Sequence, residues 1–383
     1  MSHRTTTGII AMVGCMFAMS YGDEAAPGRT ERWKPSKVIQ WDWRKTGLLQ
    51  WGCGGKYICG VSGEPDTLDV WVWDKGIVRK GKQYQVSGVC EPVVMADARF
   101  LHGSPVKEPG AIIVRSIETG KVVHKWALGE DWYCRMARSS TNGKYACVTV
   151  AEKYSDVDHP RLRTAVVPQG APAIRWGPTL VGSSMFDFLN LRMIVPSDDG
   201  AYLAVGGWNN GVAIIDLVKN KVLWKARPNK AISPNYVAFS PDSKVIYAGG
   251  GLGCVYGMDV KTGKVLTRWF STPTGKSVYG HRISAVAVSP DGRFVAAGTG
   301  PSGLVYLWWA KTGKRAAVLN HGLTTILILS FSPDSDALAT VAGGLIKVWK
   351  MPAEGGPKAT ERKGQQNGMD AGSQPSGAGL GSK

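Results

Sequence analysis

The stretch "AVAVSPDGRFVAAGTG" runs from Ala285 to Gly300, and a near copy, "YVAFSPDSKVIYAGGG", runs from Tyr236 to Gly251. Each sets a Ser-Pro-Asp turn between two short alternating apolar runs, the pattern of a tight hairpin joining half-buried strands. With the residue before each second run as a marker, the turn recurs at Gly55, Ala98, Gly143, Gly200, Ser243, Gly292 and Ser335, at intervals of 43, 45, 57, 43, 49 and 43 residues. A period near 43 with small insertions is the mark of a repeat architecture.

Each unit continues the same way: a Gly-rich loop, a third run, a tight turn and a fourth run. The third run and its turn read "VWVWD" at 70–74, "MDVKTGKV" at 258–265 and "LWWAKTGKR" at 307–315. Gly in Thr-Gly-Lys takes positive φ without a Cβ clash, so four antiparallel strands per unit follow. One such sheet cannot bury both faces, so neighbouring units must stack, and the closed radial solution is a β-propeller. The expected fold is all-β: a seven-bladed β-propeller of four-stranded antiparallel blades over residues 33–350. The last unit stops at "LIKVW" (Leu345 to Trp349), one strand short, while "SKVIQWDW" (Ser36 to Trp43) precedes the first unit unassigned. The N-terminal strand, about 36–43, is expected to complete the last blade and remove the exposed edges.

The "SPDG"-type turns, Trp73-Asp74, Gly280-His281 ahead of a strand and the "TGK" hairpins together resemble the WD-repeat propellers, over about 33–350. Of the Trp-Asp sites only that of the first unit, Trp73-Asp74, is intact; the others read Arg115-Ser116, Ile215-Asp216, Met258-Asp259, Trp308-Trp309 and Trp349-Lys350. The family's turn Asp is replaced by Ser302 in the sixth unit and by Gly343 and Gly344 in the seventh. These departures resemble a divergent, bacterial-type member. Some "D-x-x-T-G-K" spacing is similar to quinoprotein repeats, in which a Trp docks one blade on the next, and Trp126, Trp224 and Trp269 stand where such docks would. The resemblance implies a rigid interaction scaffold and no catalytic centre.

Charge sets the partner class. Forty-six Lys and Arg against 29 Asp and Glu give +17, which suits a protein or anionic polymer partner. The basic residues are scattered, many as the single Lys after a turn Gly (Lys121, Lys264, Lys314), which argues against nucleic acid. Residues 1–20 read as a signal peptide: Arg4, then "GIIAMVGCMFAM", then Ala18-Met19-Ser20 before a cut. A variant reading lipidates Cys15. With about 12 apolar residues where roughly 20 are needed, no transmembrane span is expected. The chain is then exported, to the periplasm or outside the cell, and otherwise cytoplasmic. Residues 21–32 form a linker, and 351–383, rich in Gly, Ser, Pro and Lys, a disordered tail.

Catalytic signatures are missing. Gly76 to Lys82 has phosphate-loop spacing but Gln83 follows, and "GGGLG" (Gly249 to Gly253) lies between strands rather than before a helix. No Cys-x-x-Cys occurs, so zinc and other cofactors are not expected. Cys59 and Cys147 share a position in the second strand with Ala204, Ala296 and Ala339, as small core residues; in an oxidising compartment Cys134 and Cys147 could bridge. His102 falls on the same core position. The third unit is swollen by "AEKYSDVDHPRLR" (Ala151 to Arg163) and "GPTLVGSSMFDFLN" (Gly177 to Asn190). Long loops on a rigid scaffold carry function, so the rim they form is the expected binding surface: Trp132, Tyr133, Tyr154, Asp156, His159, Phe186, Phe188 and Trp208. Asp156, Asp158 and His159 also offer metal-type ligands. The alternative is a propeller enzyme, a hydrolase, lyase or quinoprotein-like oxidoreductase with its site at the axial mouth, which would require converging acids or histidines.

Overall fold

A computed structural model describes residues 34–40, 49–52, 57–61, 67–74, 77–85, 93–103, 110–152, 161–170, 173–181, 191–207, 211–226, 236–251, 253–272 and 282–352. These residues form 28 strands and no helix. All are arranged as four-stranded antiparallel sheets. The chain opens with β1 (Lys37–Gln40), which leaves to join the last sheet. The first sheet is β2 (Leu49–Gly52), β3 (Tyr57–Val61), β4 (Thr67–Asp74) and β5 (Ile77–Gln85); the second is β6 (Val93–Val94), β7 (Arg99–Gly103), β8 (Gly110–Ser116) and β9 (Val122–Gly129). The third is β10 (Trp132–Ser139), β11 (Tyr145–Glu152), β12 (Arg161–Pro168) and β13 (Arg175–Val181); the fourth is β14 (Leu191–Pro196), β15 (Tyr202–Gly207), β16 (Gly211–Asp216) and β17 (Lys221–Ala226). The fifth is β18 (Tyr236–Phe239), β19 (Val245–Gly249), β20 (Cys254–Asp259) and β21 (Val265–Phe270); the sixth is β22 (Ile283–Val288), β23 (Phe294–Thr299), β24 (Leu304–Trp309) and β25 (Arg315–Asn320). The last comprises β26 (Ile328–Phe331), β27 (Ala337–Ala342), β28 (Leu345–Lys350) and β1, with Ile39 opposite Ile346. The result is an all-β propeller.

The repeated Ser-x-Asp turn has a physical cause. In the sixth sheet Ser289 Oγ donates to Asp291 Oδ1 at 2.6 Å and accepts from Phe294 N at 2.8 Å, while Asp291 Oδ1 accepts from Arg293 N at 2.9 Å. The fifth repeats this with Ser240, Asp242 and Val245, the fourth with Ser197, Asp199 and Tyr202, and the third with Ser140, Asn142 and Tyr145. One hydroxyl and one side-chain oxygen, of an Asp or in the third sheet of Asn142, thus satisfy turn amides. Each marker residue that is described lies at positive φ: Ala98, Gly143, Gly200, Ser243, Gly292 and Ser335. Gly55 lies outside the described residues. The turns also hold each other, since Asn142 N donates to Asp198 Oδ1 (2.9 Å) and Asp291 N to Ser335 Oγ (3.0 Å) in the following sheet.

Stacking has a second device at the outer strands. Trp224 Nε1 donates to Val260 O at 2.7 Å and its ring covers Gly263 of the next sheet. Trp269 covers Gly313 in the same way, and Tyr84 donates to Ile117 O and covers Gly120. A methyl group on Gly313 would sit 2.6 Å from Trp269 Nε1, so the turn needs Gly for contact as well as for φ. Trp224 and Trp269 are therefore docks as expected from their place after the hairpin; Trp126 instead stacks on His124 and packs into the core beside the third sheet.

Between sheets the buried apolar residues form a series of clusters, most of them drawing on two neighbouring sheets. Cys59, Cys147, Ala204, Ala296 and Ala339 are each fully buried, and His102 is 3% exposed. Burial drives the Cys147 thiol up to about 12 and Cys59 further in the same direction. Cys134 and Cys147 are both free, and the open alternative of a bridge is corrected by register: Cys134 opposes Val150, and Cys147 opposes Arg138. The two thiols start from different rungs of the hairpin and cannot meet.

Candidate functional site

The swollen third unit is where the described structure brings chemistry together. β10 begins at Trp132 and β12 at Arg161, and alternation along β12 sends Leu162, Thr164 and Val166 to one face and Arg163, Ala165 and Val167 to the other. On that second face the Arg163 guanidinium lies 5.7 Å from the Trp132 ring centroid and 4.6 Å from that of Trp176, in β13. Two indoles thus hold one guanidinium, each contact contributing about 0.5–2 kcal/mol. Arg163 Nε is buried with no hydrogen-bond partner among the described residues. The ion pairs found among those residues involve Arg99, Lys219, Lys244 and Arg293, not Arg163. The site therefore presents a fixed cation whose natural complement is a carboxylate or another oxyanion.

Of the eight expected rim residues, Trp132 and Tyr133 are described. Both are half-buried, and they point to opposite faces of the third sheet: Trp132 packs toward the second sheet and Tyr133 toward the fourth. Only Trp132 joins the Arg163 cluster. Tyr154, Asp156, His159, Phe186, Phe188 and Trp208 lie outside the described residues. Arg163 and Trp176 were missed by sequence reading. Trp176 carried a signal, since it follows the turn of its unit as Trp126, Trp224 and Trp269 do.

Two buried ionisable groups elsewhere are strongly perturbed. Asp198 is 9% exposed, and burial raises its carboxyl to about 6 against the opposing pull of the Asn142 amide. His321 is 4% exposed, and burial together with nearby Lys347 lowers its imidazole to about 4. Among the described residues no group of three or more His, Cys, Asp or Glu could hold a metal ion. No helix among them is long and apolar enough to cross a membrane.

Known proteins place this geometry. The sequence model of the WD domain, G-beta repeat, matches residues 273–308. The chain is 26% identical over 165 residues to the periodic tryptophan protein 2 homolog of Dictyostelium discoideum, covering 42% of this chain and 17% of that protein. It is 26% identical over 155 residues to the human U3 small nucleolar RNA-associated protein 18 homolog, covering 39% and 26%. It is 37% identical over 84 residues to the small ribosomal subunit protein RACK1 of Medicago sativa, covering 22% and 24%. The chain thus spans about a quarter or less of these relatives. Among solved structures, the Cps50 (Swd1) β-propeller domain of Myceliophteria thermophila matches with a TM-score of 0.58 at 15% identity, over 84% of this chain and all of that one. With the repeated hairpin turns and four-stranded sheets, these likenesses support reading the chain as a divergent relative of the WD-repeat β-propellers.

Proposed function

We propose that the chain is a non-catalytic interaction propeller that holds an acidic partner, a protein or an anionic polymer, at the rim of its third sheet. The observation that carries this is the Arg163 guanidinium, fixed between Trp132 and Trp176 with its Nε buried and unpartnered. A cation already ordered in the free protein loses little entropy on binding, and Trp with Arg is the composition of binding hot spots. The net charge of +17 favours approach of an acidic partner. Names of two relatives, a small ribosomal subunit protein and a U3 small nucleolar RNA-associated protein homolog, speak of association with larger particles and favour binding over turnover.

The same proposal includes a closed ring of seven blades. It is supported by the antiparallel pairing of β1 with β28 and by the contact of β26 with β2, the innermost strands of the last and first sheets. Export through residues 1–20 belongs to the proposal too, and mass measurement of the N-terminus after cell fractionation tests it.

The binding reading is tested by affinity capture with the wild-type chain, Arg163→Gln and Trp132→Ala, followed by titration of the captured partner. Both variants are expected to weaken binding at least tenfold, with the wild-type affinity falling as salt rises. A partner held equally well by Arg163→Gln would place the interface elsewhere.

A further inference from the structure

In the sequence the lysines of the outer hairpin turns are scattered, but the fold gathers those of three successive sheets. The inner strands of the fourth, fifth and sixth sheets touch in order, β14 with β18 and β18 with β22, so β17, β21 and β25 face outward side by side. The turns leading into these outer strands are tied to their neighbours: Trp224 Nε1 donates to Val260 O at 2.7 Å, Trp269 lies over Gly313, and Arg315 Nη2 donates to Phe270 O at 3.3 Å. Each turn brings two exposed lysines to the row, Lys219 and Lys221, then Lys261 and Lys264, then Lys311 and Lys314.

The acids nearby do not cancel this charge. Asp216 accepts from the Val218 and Lys219 amides and lies 3.7 Å from Lys219 Nζ, while Asp259 accepts from Thr262 N and Oγ1, both at 2.7 Å. Trp309 takes the equivalent place in the sixth sheet. In the Ser-x-Asp turns of the same sheets Asp242 pairs with Lys244 and Asp291 with Arg293, and Asp199 accepts from Ser197 Oγ and Ala201 N. The second sheet differs: exposed Val122 and Val123 follow Lys121 there too, but Glu118 lies in the same turn and Glu130 and Asp131 follow the strand. Among the lysines of the row stand Val218, Val265 and Leu266, 74%, 42% and 51% exposed. The described aromatic rings of these three sheets are buried or half-buried. A nucleic-acid surface stacks bases on aromatic rings and forks phosphates with arginine. Aliphatic side chains amid lysines suit instead the boundary between lipid headgroups and acyl chains.

We propose that the outer edge of the fourth to sixth sheets docks on an anionic lipid surface. The lysine ammonium groups meet the charged headgroups, and Val218, Val265 and Leu266 enter the boundary beneath them. Every group in this contact is already at the surface, so docking asks for no opening of the sheets. The row is separate from the Arg163 cluster of the third sheet, so either surface can fail without the other.

The test is co-sedimentation of the full-length chain with vesicles of phosphatidylcholine alone or with about one-third phosphatidylserine. Binding is expected to be at least about tenfold tighter on the anionic vesicles and to weaken as salt rises. Lys264→Gln with Lys314→Gln should weaken it at least about tenfold, and Lys264→Arg with Lys314→Arg should retain it. The charge-matched pair Lys121→Gln with Lys125→Gln, and Arg163→Gln alone, should each change it less than about threefold. Val218→Ser with Leu266→Ser should weaken it at least about threefold. Equal binding to uncharged vesicles, equal loss with the Lys121 and Lys125 pair, or binding untouched by the two serines would each overturn the proposal. So would greater release by inorganic phosphate than by chloride of equal ionic strength, or tighter capture of a mixed-sequence single-stranded oligonucleotide than of anionic vesicles. Thermal melts of the variants separate lost docking from lost folding.

Discussion

Ala98, Ser243 and Ser335 adopt the left-handed conformation, at φ 58, 58 and 63, where other units use Gly. That conformation costs an L-residue about 1–2 kcal/mol. Ser335 has compensation: it is fully buried and accepts from Asp291 N of the preceding sheet, and losing that acceptor would strand a buried amide at about 1–3 kcal/mol. Ala98 offers no such bond. Ala98→Gly should therefore raise stability by about 0.5–1 kcal/mol, Ser335→Gly should be near neutral or below, and Ser335→Ala should lose about 1–3 kcal/mol, read by chemical denaturation. Two other residues set the pH response. Asp198 keeps its proton to about pH 6 when folded, so raising pH through 4 to 6 ionises the unfolded chain first and lowers stability. His321 stays neutral down to about pH 4, so lowering pH from 6.5 to 4 protonates the unfolded chain first and also lowers stability. The two oppose each other in one window. Asp198→Asn should raise Tm at pH 7.5 and change it little at pH 3.5, and His321→Gln should flatten the acid-side fall, both read in melts from pH 3.5 to 8.

At the scale of elements, stability rests on how one sheet's outer strand sits on the next sheet's turn. Gly313 and Gly170 share the same φ, 68 and 70, but Gly313 lies under Trp269 while nothing lies within 4 Å of a methyl group on Gly170. Gly170→Ala should cost about 1 kcal/mol, the backbone penalty alone. Gly313→Ala should cost about 2–4 kcal/mol, the excess measuring the displaced indole. These docks were legible for Trp224 and Trp269 from their place after the hairpin, but the same place in other units holds Trp126, stacked on His124, and Trp176, packed on Arg163, so position alone does not make a dock. Tyr84 performs the same task without being a Trp and gave no such cue. The Arg163 cluster was legible only in part. Period-2 alternation separates Trp132 from Tyr133 onto opposite faces, which the sequence contains. Pairing Arg163 with Trp176 depends on strand register, and β12 meets β13 through an irregularity between Arg163 and Ala165 that no periodicity announces.

For the whole molecule, the reading depends on both ends of the chain sharing one sheet. The repeat was legible because the turn sets a left-handed residue at a fixed spacing, after Ser and Asp or Asn in the third to seventh units, whatever the strands around it contain. The short last unit then called for a strand from the other end, and β1 lies where that reasoning put it, over Lys37–Gln40 within the expected 36–43. Residues 41–43 lie outside the described part. Removing residues 1–40, which takes β1 away, should lower Tm and expose the edge of β28 to self-association. The most direct measurement is a cross-link. Val38 opposes Lys347, with Val38 48% exposed, and a chain carrying Val38→Cys and Lys347→Cys, with Cys15, Cys53 and Cys90 changed to Ser, can be oxidised gently and mapped by mass spectrometry. A 38–347 disulfide formed within one chain, with Tm raised, is the expected result. Failure of these two thiols to join, or joining only between chains, would contradict the closed ring.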